Sequence, residues 1–180
     1  GLPFQDKVLY KLGIYSSKYK LYCKANKLHP HITANELKNT LPDDIYQEYY
    51  KFAFVRNPWD WQVSLYHYAK QNEHHFQNKK MNLMSFNDYI KWRVNEDKKL
   101  QKDFVVDSDG TLIVDFVGKL ETIENDFNKI NNQLKISVEI PHVNQSNHRD
   151  YRSYYNSKTI ELINKHFKEE LWNPEIWSTE

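Results

Sequence analysis

Cysteine is nearly absent from this chain: Cys23 is the single one among 180 residues. One thiol excludes an internal disulfide framework, and its expected state is a buried or half-buried side chain. Glycine is scarce too, with Gly1, Gly13, Gly110 and Gly118 the whole set. Gly118-Lys119 stands without the rest of a Gly-x-x-x-x-Gly-Lys-Ser/Thr phosphate loop. No window approaches the run of about eighteen apolar residues that a membrane helix needs. No secretory leader is visible at Gly1, so a microbial chain of this kind is expected in the cytoplasm. An excess of one charge is also missing. The 25 Lys and Arg nearly cancel the 24 Asp and Glu, leaving a net charge of +1. That balance disfavours bulk nucleic-acid binding but leaves room for a local anion site. There is no internal repeat, low-complexity tract or long linker, and residues 1–180 are expected to form a single domain.

What is present is aromatic and polar. Hydrophobic residues make up 39% and aromatic residues 15%, so the core should be rich in Tyr, Phe and Trp. The mean hydropathy of −0.85 predicts a polar surface. Residues 1–28 read as one or two helices. Thr33 followed by Glu36 is a capping box that opens a helix to about Asn39. A helical turn is expected over Asp44–Tyr49 and an exposed polar loop over 72–83. Ser85 caps a helix from Phe86 to about Arg93, with Phe86, Tyr89 and Ile90 on one face. Asp107-Ser108-Asp109-Gly110 is a turn between extended segments at Phe104–Val106 and Leu112–Val117. Amphipathic helices are expected from Glu121 to Leu134 and from Ser157 to about Leu171, with a polar, aromatic loop over 141–155 between them.

The most informative stretch is Lys51-Phe52-Ala53-Phe54-Val55-Arg56-Asn57-Pro58-Trp59-Asp60-Trp61-Gln62-Val63-Ser64-Leu65-Tyr66. Phe52 to Val55 is a short β-prone apolar run. Pro58 suits a first helical turn, and Asn57 can cap it. Arg56 therefore stands where a strand ends and a helix begins, the place where open α/β sheets bind anions. Ser64 follows about two turns into the helix, so an arginine and a hydroxyl can meet one phosphate. The competing reading is a plain strand–helix packing unit with Arg56 paired to a carboxylate.

Arg-Asn-Pro-x-Asp followed by Val-Ser-Leu-Tyr resembles the 3′-phosphate motif of sulfotransferases, in the carbohydrate and bacterial branch. These enzymes use 3′-phosphoadenosine 5′-phosphosulfate (PAPS) and release 3′-phosphoadenosine 5′-phosphate (PAP). The resemblance implies an α/β fold in which helices flank a mainly parallel central sheet, as in nucleotide kinases. It assigns the 3′-phosphate to Arg56 and Ser64. It also implies a carbohydrate hydroxyl as acceptor and no metal. Trp61 stands where the family usually has Arg.

His29-Pro30-His31 reads on its own as a turn with two surface imidazoles, and no ligand set at metal spacing accompanies it. It is similar to the His-x-His step of uronyl 2-O-sulfotransferases. That likeness assigns the catalytic base to His31 and an assisting role to His29. An imidazole exchanges protons near neutral pH, which suits deprotonation of an attacking hydroxyl. Val114-Asp115-Phe116-Val117-Gly118-Lys119-Leu120-Glu121 resembles the family's Val-Gly-x-x-Glu strand and turn. Gly118 reads there as a backbone requirement and Glu121 as a charge favourable to a helix N-terminus. Asn144-x-Ser146 with Arg149, Arg152 and the Tyr154-Tyr155 pair resembles the loop that folds over the nucleotide. Arg149 and Arg152 would add charge near the 3′-phosphate. Asn144-Gln145-Ser146 is also a formal glycosylation sequon, discounted because nothing else indicates secretion.

The likeness runs over about residues 29–175. No counterpart is found of the family's opening βα unit with its phosphosulfate loop, roughly Pro-Lys-Thr-Gly-Thr-Ser. Gly13-Ile14-Tyr15-Ser16-Ser17 is the nearest candidate, without an apolar strand before it. On that basis this polypeptide is expected to hold the 5′ end of PAPS poorly and to turn over weakly. The alternative is a non-catalytic PAP-binding or interaction module.

Overall fold

Phe52–Val55 form strand β1 and Phe116–Lys119 form strand β2, and the two pair in parallel. Parallel neighbours need a crossover, and here helices lie between them in sequence. In register, Phe52 faces Phe116, Ala53 faces Val117, Phe54 faces Gly118 and Val55 faces Lys119. The computed structural model describes residues 31–97, 99–140 and 148–168. His29, Cys23, the segment Gly13–Ser17 and the expected helices of 1–28 lie outside those residues.

The described residues fall into two compact units. One comprises 31–49 with 103–113. It holds α1 (Ala34–Thr40) and α2 (Asp43–Glu48). The Thr33–Glu36 capping box is present, with the Thr33 hydroxyl accepting from the Glu36 N–H and the Glu36 carboxylate accepting from the Thr33 N–H. The Tyr46 hydroxyl donates to the Ile113 carbonyl at 2.8 Å. The extended reading of Phe104–Val106 is corrected: Lys102–Phe104 is a 3₁₀ turn, and only Val106 and Leu112 bridge across the Gly110 turn. The Asp107 carboxylate accepts from the N–H groups of Asp109 and Thr111, so side-chain bonding replaces a strand ladder there.

The second unit comprises 50–102 and 114–168 and has mixed α/β character. It holds β1, β2, α3 (Pro58–Gln71), α4 (Asn78–Asn82), α5 (Phe86–Glu96), α6 (Ile123–Leu134) and α7 (Ser157–His166). The loop expected over 72–83 thus contains a short helix. Met81 explains it, because its fully buried side chain anchors one turn into the core. The strand expected from Leu112 starts at Phe116, and the helix expected from Glu121 starts at Ile123 behind a 3₁₀ turn at Leu120–Thr122.

The core joins Val63, Tyr66 and Ala69 of α3 to Phe86, Tyr89, Ile90 and Val94 of α5, with Met81, Leu100, Ile163 and Phe167. Phe86 stacks edge-on with Tyr66, Tyr154 and Tyr155 at 5.1–5.5 Å. Each buried phenol finds an acceptor: Tyr66 the Met84 carbonyl, Tyr89 the Gln62 amide oxygen, Tyr155 the Trp59 carbonyl. Among the described residues no helix is long and apolar enough to cross a membrane.

Gly118 owes its place to space rather than to backbone conformation, which corrects the expectation from sequence. A Cβ there would lie 2.5 Å from Phe54 Cε1 and 3.1 Å from Asp126 Cβ. Gly118→Ala should therefore displace the Phe54 ring and destabilise the fold by about 1–3 kcal/mol. The midpoint of urea unfolding measures this, and an unchanged midpoint would show that the ring moves without cost.

Candidate functional site

The turn after β1 is held from three sides. The Asn57 side chain caps α3, accepting from the N–H groups of Trp59 at 3.0 Å and Asp60 at 3.4 Å. The Asn57 N–H donates to Glu121 Oε1 at 2.6 Å, which fastens the β1–α3 turn to the turn after β2. Glu121 was read from sequence only as a favourable helix charge; its carboxylate also ties the two strand ends together. The Gln101 amide brackets Arg56 like a neighbouring strand. Its oxygen accepts from the Arg56 N–H and its nitrogen donates to the Arg56 carbonyl, both at 2.8 Å. The backbone that carries Arg56 is thus satisfied where the ladder stops.

The Arg56 guanidinium points along α3. Nε and Nη2 both meet Asp60 Oδ2, at 2.7 and 2.6 Å. Both side chains are about a quarter exposed. The competing reading from sequence, a paired arginine, is therefore realised in part. Asp60 holds one edge of the fork, and the Nη1 edge carries no hydrogen bond among the described residues. Arg56 and Ser64 line one cleft of about 280 Å³ with Phe54, Val55, Trp61, Leu65, Tyr68, Gln101 and Leu120. Ligand clefts usually span about 300–1,000 Å³, and this one lies just below that range. Arg56 and Ser64 bring a guanidinium edge and a hydroxyl to that cleft, groups that suit an oxyanion.

The C-terminal loop packs on α3 nearby. His67, one turn beyond Ser64, stacks on His148 at 5.7 Å and meets Tyr154 edge-on at 5.1 Å. Arg149 lies over the Tyr154 ring, at 5.5 Å. Arg152 is exposed, paired with Asp150 at 3.0 Å and stacked over Tyr151. Neither arginine lines the cleft that Arg56 and Ser64 share. His31 is exposed in the turn before α1, in the other unit. Among the described residues no group of three His, Cys, Asp or Glu side chains is placed to hold a metal ion.

Two carboxylates and one imidazole are shifted here. Burial raises the Asp126 value, but the Lys119 N–H, Lys129 and Thr122 more than offset it and hold the carboxyl below its usual range. Asp115 behaves alike: burial raises it, and the N–H and ammonium of Lys51 bring it down further. His67 is lowered from 6.5, first by burial and then by the positive charges of His148, Lys70 and Arg149. Its Nε2 is buried without a hydrogen-bond partner. A base whose folded value is lowered favours the fold while neutral. Its contribution is complete above pH 6.5 and is lost as the pH falls through the folded value. His67→Gln should accordingly flatten the fall in stability below pH 6.5. Urea midpoints measured on both sides of that pH test this; parallel profiles would assign the acid sensitivity elsewhere.

Sequence reasoning missed Gln101, Arg93 and His67. Gln101 lies 45 residues from Arg56 and carries no local signal. Asp60 was legible only as the unnamed carboxylate of the packing reading.

A parallel strand that passes through a capped turn into a helix, with arginine and serine lining one cleft, defines a mixed α/β protein. No curated protein and no solved structure matches the chain significantly. The family comparison does: residues 7–177 match the sulfotransferase family, and the chain belongs to it. The reaction of that family is sulfuryl transfer.

Proposed function

We propose that this chain binds PAPS through its 3′-phosphate and passes the sulfuryl group to a hydroxyl of a carbohydrate acceptor. The observation that carries the reading is the shared cleft of Arg56 and Ser64 at the end of a parallel strand. Arg56 supplies charge-assisted donors and Ser64 a hydroxyl. Arg149 and Arg152, on the loop packed over α3, add positive charge around the nucleotide. PAPS itself supplies the activated sulfuryl group. The chain's own part is to fix the phosphate, orient the acceptor and take its proton, the last assigned to His31 with His29 assisting. Domain unity over 1–180 belongs to the same proposal.

Calorimetric titration with PAP, with 5′-AMP as control, tests the reading. Tighter binding of PAP supports a 3′-phosphate site, and equal affinities would remove it. His31→Ala should then abolish transfer while PAP binding persists; retained transfer would take the base role away from His31. A second reading is a nucleotide-binding or interaction module without transfer. PAP binding without transfer to any hydroxyl would support it.

A further inference from the structure

Tyr68 stands on the wall of the cleft and is the first ring of a row. His75 meets it edge-on at 5.6 Å, and Phe76 lies against His75 at 4.7 Å, tilted by 32°. Phe76 is 87% exposed. The loop that presents it is well built. Asn72 Oδ1 accepts from the His74 N–H, the Asn72 carbonyl accepts from the His75 N–H, and the His75 carbonyl accepts from the Asn78 N–H. The Asn78 amide donates to the carbonyls of Ala69 and Lys70, both at 2.9 Å, which pins the loop to the end of α3. The backbone bonds that hold this loop do not use the ring, so Phe76 is displayed on fixed backbone.

His75 Nδ1 accepts from the Gln77 N–H at 3.2 Å. The neutral ring then carries its proton on Nε2, a donor beside the phenyl face. Asn72 adds an amide whose nitrogen donates to the Tyr68 hydroxyl at 3.3 Å. The rim around Phe76 is polar, with Glu73, His74, Lys79 and Lys80 exposed. A single phenyl in such a rim is too small for a stable protein interface, which buries about 1,600 Å². A pyranose matches it: one face of C–H groups for the ring, hydroxyls at the edge for the donors. The row starts at the cleft with Tyr68, and its successive ring centroids are 5.6 and 4.7 Å apart.

We infer that His75 and Phe76 form a sugar-binding ledge that leads an oligosaccharide acceptor to the cleft, with Tyr68 at its inner end. The inference rests on the proposed sulfuryl transfer to a carbohydrate, and it does not draw on Trp59 or Trp92, whose rings have partners of their own. Trp59 packs edge-on against Tyr155 at 4.8 Å, and Trp92 lies under the Lys80 ammonium at 4.1 Å.

The test is calorimetric titration of the full chain with dextran and heparosan oligosaccharides, with PAP titrated in parallel. At least one saccharide should bind, Phe76→Ala should weaken it about tenfold, and Phe76→Trp should restore it. PAP affinity should be the same in all three proteins. PAP binding without binding of either saccharide would overturn the ledge and leave the nucleotide reading intact. Saccharide binding indifferent to Phe76→Ala would overturn it as well. Phe76-dependent saccharide binding in a chain that ignores PAP would uphold the ledge and sink the nucleotide reading instead.

Discussion

Replacing Arg56 by alanine is expected to weaken PAP binding about ten- to a hundredfold, while 5′-AMP binding barely changes. A hydrogen bond to a charged group contributes about 1.5–3 kcal/mol, which sets that range. Asp60 adds to the effect. In the intact protein its carboxylate holds Nε and Nη2 of Arg56. Once the guanidinium is gone, the carboxylate faces the phosphate with nothing between them but solvent, and like charges repel. The double variant Arg56→Ala, Asp60→Asn should therefore bind PAP better than Arg56→Ala alone, a coupling that a double-mutant cycle reads directly. Fold stability should change little. Both side chains keep access to water, and pairs of that kind contribute about 1 kcal/mol or less. Unchanged PAP affinity in Arg56→Ala, with intact unfolding behaviour, would mean that the arginine serves packing alone.

Arg93→Met should produce the largest loss of stability, about 3 kcal/mol. Arg93 is 3% exposed and reaches in four directions. Nη2 donates to the Lys99 carbonyl at 2.7 Å and Nε to Gln62 Oε1 at 3.2 Å. Nη1 forms an ion pair with Asp97 Oδ1 at 2.9 Å, at an angle too oblique for a hydrogen bond. The guanidinium also lies over the Trp61 ring at 5.4 Å. Methionine fills much of the volume but answers none of these groups. The lower end of the usual range applies because Asp97 is about one-third exposed and can be hydrated. Arg93→Lys keeps the charge but not the planar fork, so it should fall between. Urea unfolding measures the difference, and a loss below 1 kcal/mol would show that water or a shifted side chain replaces the arginine. The effect should reach the cleft. Arg93 anchors the Lys99 carbonyl, two residues before the Gln101 amide that brackets Arg56. PAP affinity should drop with the stability of that segment.

Local chemistry made much of this protein legible. The Phe52–Val55 strand, the Asn57–Pro58 start of α3 and the Thr33–Glu36 capping box each depend on residues a few positions apart. Such signals survive without knowledge of the fold. The same holds for Arg56 and Ser64, because strand, cap and helix period together carry both to one cleft. The resemblance carried by that stretch named the family that the comparison over 7–177 establishes. Where sequence reasoning erred, a distant partner decided. Residues 72–83 look like polar loop until Met81 is seen fully buried under α3 and α5. Gly118 looks like a backbone requirement until the Phe54 ring is found against it.

By itself, the sequence determined the strand–turn–helix unit and the pair of residues proposed to meet the phosphate, since both follow from short-range periodicity and capping; the α/β class came with the family resemblance that this stretch carries. Only the tertiary structure decided what surrounds them. Gln101 and Glu121 fasten the turn from 45 and 64 residues away, and Arg93 props Gln101 from a separate helix. The His67 Nε2 is left without a hydrogen-bond partner, and Phe76 is exposed. Pairings at that separation depend on how the whole chain closes, and no local pattern of residue types encodes them.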